Sequence, residues 1–134
     1  MRRRRLLRAA ELLRTRIREE LGFTVNIGIS SNKLLAKMAG EFEKPDKVHT
    51  LYLYEVEKKM WPLPVGELFG VGPSAAKKLN SCGIYTIGNL AAQDRATVVS
   101  LFGARGDTLW NYANGREADP VTKQAAATTA TATA

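Results

Sequence analysis

Apolar residues in the first part of the chain recur at spacings of three and four: Leu6, Ala10, Leu13, Ile17 and Leu21. At 3.6 residues per turn they form one stripe, which predicts an amphipathic helix over residues 2–21. Arginines hold the opposite face (Arg2 to Arg5, Arg8, Arg14, Arg16 and Arg18), and Gly22 supplies a C′ stop. The period then changes. Phe23, Val25, Ile27 and Ile29 alternate with Thr24, Asn26 and Gly28, the pattern of a half-buried strand. Ser30 or Ser31 is the expected cap of a second helix, with apolar positions Leu34, Leu35, Met38, Ala39 and Phe42. Lys33, Lys37 and Lys44 lie off that stripe, and Pro45-Asp46 closes it as a turn. Residues 49–54 are β-prone, and 56–61 predict a short helix ended by Pro62.

At Trp61-Pro62-Leu63-Pro64 the composition shifts, and a domain boundary is expected there. Downstream, glycines separate short helical patterns near 65–69, 73–81, 86–92, 95–102 and 105–114. Gly72, Thr86 and Asp94 stand at N-cap positions, and Gly83, Gly103 and Gly115 at C′ positions. Beyond Val121 only Ala, Thr and two polar residues remain, without periodicity, so a disordered tail is expected over 119–134. The expected class is α+β: a helix-strand-helix-strand segment over 1–61, then a small all-α domain over 62–118.

Charge narrows the partners. The formal net charge is +7 over 134 residues, which calls for a polyanion, either nucleic acid or an acidic membrane surface. Chemistry is narrowed further by scarcity. With one cysteine, Cys82, and one histidine, His49, there is no disulfide, no zinc cluster and no Ser-His-Asp triad to build. Cys82 is expected as a small buried thiol and His49 as a strand residue without chemistry. No apolar run approaches the roughly 20 residues of a membrane span, and the basic N-terminus lacks the apolar core of a secretory signal. A cytoplasmic protein is expected.

The most informative segment is Leu68-Phe69-Gly70-Val71-Gly72-Pro73-Ser74-Ala75-Ala76-Lys77-Lys78-Leu79. Two glycines around a hydrophobic residue, between short helices, let the backbone turn and let a phosphate approach without a Cβ in the way. Backbone N–H groups of Gly70, Val71, Gly72 and Ser74 then form an electropositive nest at the start of the next helix. Pro73 suits the first helical position, where its missing N–H is not needed. Ala76 is small where two helices cross, and Lys77 and Lys78 add charge one turn later. This is a helix-hairpin-helix that grips a sugar–phosphate backbone without reading bases. A structural turn in a helical bundle, or a hairpin that docks protein, has the same shape.

Three segments in order carry a family resemblance: Phe23-Thr-Val-Asn-Ile-Gly-Ile-Ser-Ser-Asn-Lys-Leu-Leu-Ala-Lys-Met-Ala, Phe42-Glu-Lys-Pro-Asp, and Leu63-Pro-Val-Gly-Glu-Leu-Phe-Gly-Val-Gly. Together they closely resemble Y-family DNA polymerases of the bacterial DinB type, which carry out translesion synthesis. Trp110-Asn-Tyr-Ala-Asn-Gly-Arg looks like the end of that family's thumb. The resemblance implies that residues up to 61 correspond to the last part of the palm and 62–118 to the thumb. It also implies that Lys44 reaches the triphosphate of an incoming deoxynucleotide, and that DNA is the partner.

Phosphoryl transfer in that family uses Mg²⁺ held by carboxylates, an Asp on an early strand and an Asp-Glu pair on a later one. Neither motif occurs in this sequence. Glu19 and Glu20 are adjacent on a helix and diverge, Glu41 and Glu43 flank a helix end, and Asp46 is isolated in a turn. The expectation is a fragment that binds DNA, holds no metal by itself, contains no catalytic residue, and is inactive unless another segment completes it. The arginine face of the first helix has three readings: a solvated surface, added DNA affinity, or attachment to an acidic membrane. Trp61 and Trp110 are expected to pack rather than stack on bases. Arg105, beside glycines, is either a phosphate contact or a surface residue.

Overall fold

The helical period of residues 2–21 is realised as α1 (Arg2–Leu21) in a computed structural model that describes residues 2–42, 46–117 and 129–133. Gly22, at φ +74, ends it. Lys44 and residues 118–128 lie outside the described residues, so the turn lysine and most of the expected disordered tail do too. The described residues form two compact units, one running to Leu53 and including residues 129–133, the other beginning at Tyr54.

In the first unit Leu6, Ala10 and Ile17 of α1 pack on Val25, Ile27, Ile29, Val48 and Tyr52. Leu13 and Leu21, expected on this stripe, are exposed. Leu13 sits roughly 60° round the helix from Ala10, and Leu21 ends it. Arg14 turns towards the packed side instead of the solvated one. α1 carries no acidic residue in its first turn. Cations at the positive end of a helix dipole are unfavourable by about 0.3–1 kcal/mol each, so side-chain packing has to stabilise this helix.

The alternating segment gives β1 (Asn26–Ser30), and all five of its residues are buried rather than every second one. Its apolar side chains meet α1, while α2 (Lys33–Gly40) covers the side bearing Asn26, Gly28 and Ser30. Gly28 explains the closeness: a Cβ there would be driven into the Ala36 carbonyl and the Gly40 nitrogen. The cap of α2 is Asn32 rather than either serine. Its Oδ1 accepts from the Leu35 N–H at 2.8 Å, whereas Ser30 is drawn into the strand and fully buried. Leu34, Leu35, Met38 and Ala39 are buried as the stripe predicts.

β2 (Val48–Thr50) pairs parallel to β1, with Ile27 opposite Val48 and Ile29 opposite Thr50. β3 (Thr129–Thr133) lies antiparallel on the other edge of β1, giving the order β2-β1-β3. Alternation of β-branched Thr with Ala suits an extended edge, although the sequence pattern predicts no element there.

In the second unit one π-helical turn, Val56–Met60, buries Val56 and Met60. Residues 54–61 pack in this unit. Trp61 donates from Nε1 to the Ala113 carbonyl at 2.9 Å, and Trp110 donates to the Gln93 carbonyl at 2.8 Å. Both tryptophans therefore serve packing. A 3₁₀ turn (Val65–Glu67) leads to α3 (Pro73–Ser81), α4 (Ile87–Ala91), α5 (Arg95–Phe102) and α6 (Ala104–Ala113), close to the predicted helices. Thr86 caps α4 reciprocally with Asn89, while Asp94 stands at the N-cap of α5 without a side-chain cap bond. Leu68, Leu79, Ile84, Ile87, Leu90, Val98 and Leu109 form the buried interior. Replacing one such Leu by Ala typically costs about 2–5 kcal/mol, a large part of a small domain's stability. Cys82, expected to be buried, is exposed, because it falls one residue past the last turn of α3.

Candidate nucleic-acid interface

The hairpin is built from Leu68 outward. Leu68 is buried, its carbonyl accepts from the Val71 N–H at 3.0 Å, and the chain reverses at Gly70 with φ +92. That conformation strains an L residue, and a Cβ there would also press on Leu109 Cδ2 at 3.3 Å. Gly72 differs. At φ −85 and ψ 177 it is ordinary extended backbone, and a Cβ would meet nothing within 4 Å. Among the described residues no packing requires glycine at 72, and the residue is exposed.

Gly72 is the N-cap of α3, with Pro73 at the start of the helix, and its carbonyl accepts from the Ala76 N–H at 2.9 Å. The first N–H groups of a helix have no acceptor within it, so those of Gly72, Ser74 and Ala75 open at this end of α3. Gly72 and Ser74 are exposed, and Lys77, one turn later, is exposed as well. Val71 is buried and its N–H is spent on the Leu68 carbonyl, so the expected Val71 donor is taken up within the turn and not offered to the nest. Ala76 lies against Gly66, whose missing Cβ would stand 3.5 Å from its own.

Lys78 does something other than what its place in the motif suggests. Its Nζ donates to the Leu101 carbonyl at 2.6 Å and sits 4.8 Å above the Phe102 ring. It ties α3 to the carbonyl end of α5, where a cation is favourable. In its place the structure brings Arg105, whose guanidinium donates to the Gly70 carbonyl at 2.5 Å. Phe69, 44% exposed, leans on Tyr112 with ring centroids 6.1 Å apart. Behind them Arg95 donates to Asp107 at 2.5 Å, and this bond holds the Asp107 carboxyl below its ordinary range. The sequence signal for Arg105 was its place just after Gly103, where a helix start carries it back towards the hairpin.

Around the turn that contains Lys44, the described residues show an anchor. Asp46 has φ +60, rare for a residue with a Cβ. Arg14 reaches it at 2.7 Å and Arg18 at 2.6 Å. Hydrogen bonding from Arg14 first, then from Arg18, holds its carboxyl low against the opposing effect of burial. The Asn26 side chain accepts from the Lys47 N–H at 2.9 Å, and the Lys47 carbonyl accepts from Ile27. The carboxylate left isolated in the sequence is thus ion-paired to two arginines. The signal was there, since Arg14 and Arg18 stand four and eight residues after Ala10.

Residues 2–41 match the impB/mucB/samB family, and residues 55–84, which contain the hairpin, match the IMS family HHH motif. These matches support a Y-family, DinB-type polymerase fragment. DNA polymerase IV of Clostridium acetobutylicum is 57% identical over 106 residues, covering 79% of this chain and 27% of that protein. DNA polymerase IV of Moorella thermoacetica is 46% identical over 86% of this chain and 29% of its own length. DNA polymerase IV 1 of Bacillus subtilis is 44% identical over 87% of the chain and 28% of its own. The chain thus spans under a third of the length of these Y-family relatives. A solved structure described as a Dbh ternary complex shares the fold, with TM-score 0.72 and 24% identity, over 87% of this chain and 35% of that one. In the Y-family frame the first unit is palm-like and the second thumb-like.

Proposed function

We propose that this chain holds DNA by its sugar–phosphate backbone, without regard to base sequence, as part of a translesion polymerase. The observation that carries the reading is Gly72. Among the described residues a Cβ there would meet nothing within 4 Å and its backbone is ordinary, yet it carries no side chain at the mouth of an N–H nest. The exposed Ser74 and Lys77 and the guanidinium of Arg105 surround that mouth with hydrogen-bond donors and positive charge. Backbone-only contact leaves affinity salt-dependent and modest, with Kd on the order of 10⁻⁴–10⁻⁶ M at physiological salt.

Lys44, two residues before Asp46, is the residue proposed to meet a deoxynucleotide triphosphate when a palm is complete. A compact ammonium there would offset charge growing on the leaving pyrophosphate. The palm residues present do not fit the family's Mg²⁺. Among the described residues no three of His, Cys, Asp and Glu come together, and Asp46 is committed to two arginines. No chemical step is therefore assigned to this chain; it grips, and elongation needs carboxylates from elsewhere. Among the described residues no helix is long and apolar enough to cross a membrane, in keeping with a proposed place in the cytoplasm.

The test is fluorescence anisotropy with a labelled duplex, comparing the chain with Gly72→Thr across a salt series. Thr caps a helix about as well as Gly, so folding is retained while a β-branched side chain fills the mouth. Binding weakened without a change in thermal stability supports the reading. Unchanged binding sinks it, and salt-independent capture of a protein with no DNA shift would favour a protein-docking hairpin instead. Primer extension with Mg²⁺ and nucleotides should give no product; template-directed elongation would refute the inactivity.

A further inference from the structure

We propose that the exposed arginines at the start of α1, Arg4, Arg5 and Arg8, form a second nucleic-acid contact, separate from the hairpin and on the palm-like unit. Three observations carry this. The first is how the charges on α1 are paired. Arg14 is taken by Glu11 and Asp46, Arg18 by Asp46, and Arg16 by Glu20. Among the described residues no ion pair joins Arg4, Arg5 or Arg8, and the first carboxylate after them is Glu11. The helix is thus neutralised along its later part and left cationic at its beginning.

The second is mutual repulsion. Arg4 and Arg8 are four residues apart and Arg5 and Arg8 three, so the guanidinium groups are neighbours on one surface. All three are exposed. A polyanion laid across them relieves that repulsion, and the counterions it releases supply the driving force.

The third decides between polyanions. A helix that lies in a membrane surface buries its apolar side among acyl chains. Here that side is already closed, because Leu6, Ala10 and Ile17 pack on the sheet. What remains outward beside the arginines is a charged face broken by Leu7, Leu12 and Leu13, which stand about 100° or more apart round the helix and form no apolar stripe. Such a face suits a hydrophilic polyanion such as duplex DNA. Bidentate guanidinium groups match phosphate oxygens, and nothing at this face offers a way to read bases.

The experiment uses the full chain and the same labelled duplex, with R4Q/R5Q/R8Q, R4K/R5K/R8K, G72T and the combined R4Q/R5Q/R8Q/G72T. Far-UV circular dichroism first establishes that each keeps its helices. The glutamine variant is expected to weaken binding at low salt by about tenfold or more, and to flatten the log–log salt slope by about 2–3. The lysine variant should keep most of both, since it preserves charge. The losses in the glutamine and G72T variants should multiply in the combined one, as expected of independent sites. Wild-type affinity and slope in the glutamine variant overturn the proposal and leave the hairpin reading standing. Equal loss in the glutamine and lysine variants also overturns it, by pointing to shape rather than charge. A further arm adds vesicles of phosphatidylglycerol and phosphatidylcholine. Arginine-dependent vesicle binding that duplex DNA fails to displace would assign the patch to a membrane and overturn the proposal. Displacement by DNA supports it.

Discussion

Arg105 donates a hydrogen bond from its guanidinium to the carbonyl oxygen of Gly70 at 2.5 Å, so the first turn of α6 holds the hairpin at its point of reversal. The contact stabilises a left-handed residue and also places a fixed cation beside the N–H nest. Arg105→Ala is expected to loosen the hairpin and weaken DNA binding several-fold. Arg105→Lys should recover charge but not the planar fork, giving intermediate affinity. Anisotropy on the two variants checks the order; equal affinity for Ala and wild type would remove Arg105 from the interface.

The two glycines of the hairpin should behave oppositely. Gly70→Ala forces a Cβ into left-handed backbone and towards Leu109, at a cost of about 1–2 kcal/mol in thermal or denaturant unfolding. Gly72→Thr should leave the melting temperature close to wild type while weakening binding. A Gly72→Thr chain that unfolds as readily as Gly70→Ala would show that residue 72 is structural after all.

Adjacent lysines should separate in the same way. Lys77→Ala is expected to reduce the salt slope by about 0.9, the value of one neutralised phosphate, with stability unchanged. Lys78→Ala removes the bond to Leu101 and the contact with Phe102, so its main effect is a lower melting temperature. The reverse pattern, with Lys78 setting the slope, would contradict the structure.

Acid should release the arginine clamps. Asp46 and Asp107 both have folded-state pKa values held below the ordinary carboxylate value, chiefly by hydrogen bonds from Arg14 and Arg95 respectively. For a lowered carboxylate, the stabilisation is present above the unfolded pKa, near 4, and is lost as pH falls through the folded value. Thermal unfolding followed from pH 7 downward should therefore lose stability below about pH 4. Asp46→Asn should start lower and show a shallower decline. A variant with the same acid limb as wild type would mean the clamp adds nothing.

The thumb-like unit was largely legible in the sequence, because local signals govern it: glycines at helix ends, Thr86 at a cap, Pro73 at a first turn. The palm-like unit was less so. Asn26 and Gly28 read as the polar side of a half-buried strand and Ser30 as a helix cap, yet all three are buried because α2 lies so close. Composition alone does not tell a residue that faces water from one that makes room for a helix. The arginine pattern groups Arg14 with the solvated face, although its position, four residues after Ala10, also suits the packed side, where Asp46 pairs with it. The place of Lys78 in the motif points to phosphate, while the Leu101 carbonyl to which it donates lies in another helix.

Gly28 carries a practical consequence for anyone screening variants of this chain. Even alanine would have to displace main-chain atoms of α2, so a saturation library should tolerate almost nothing at this codon. Its fitness profile would mimic that of a catalytic position. Yet the residue lies under a helix, far in kind from any reacting group, and intolerance there would report carpentry and not chemistry.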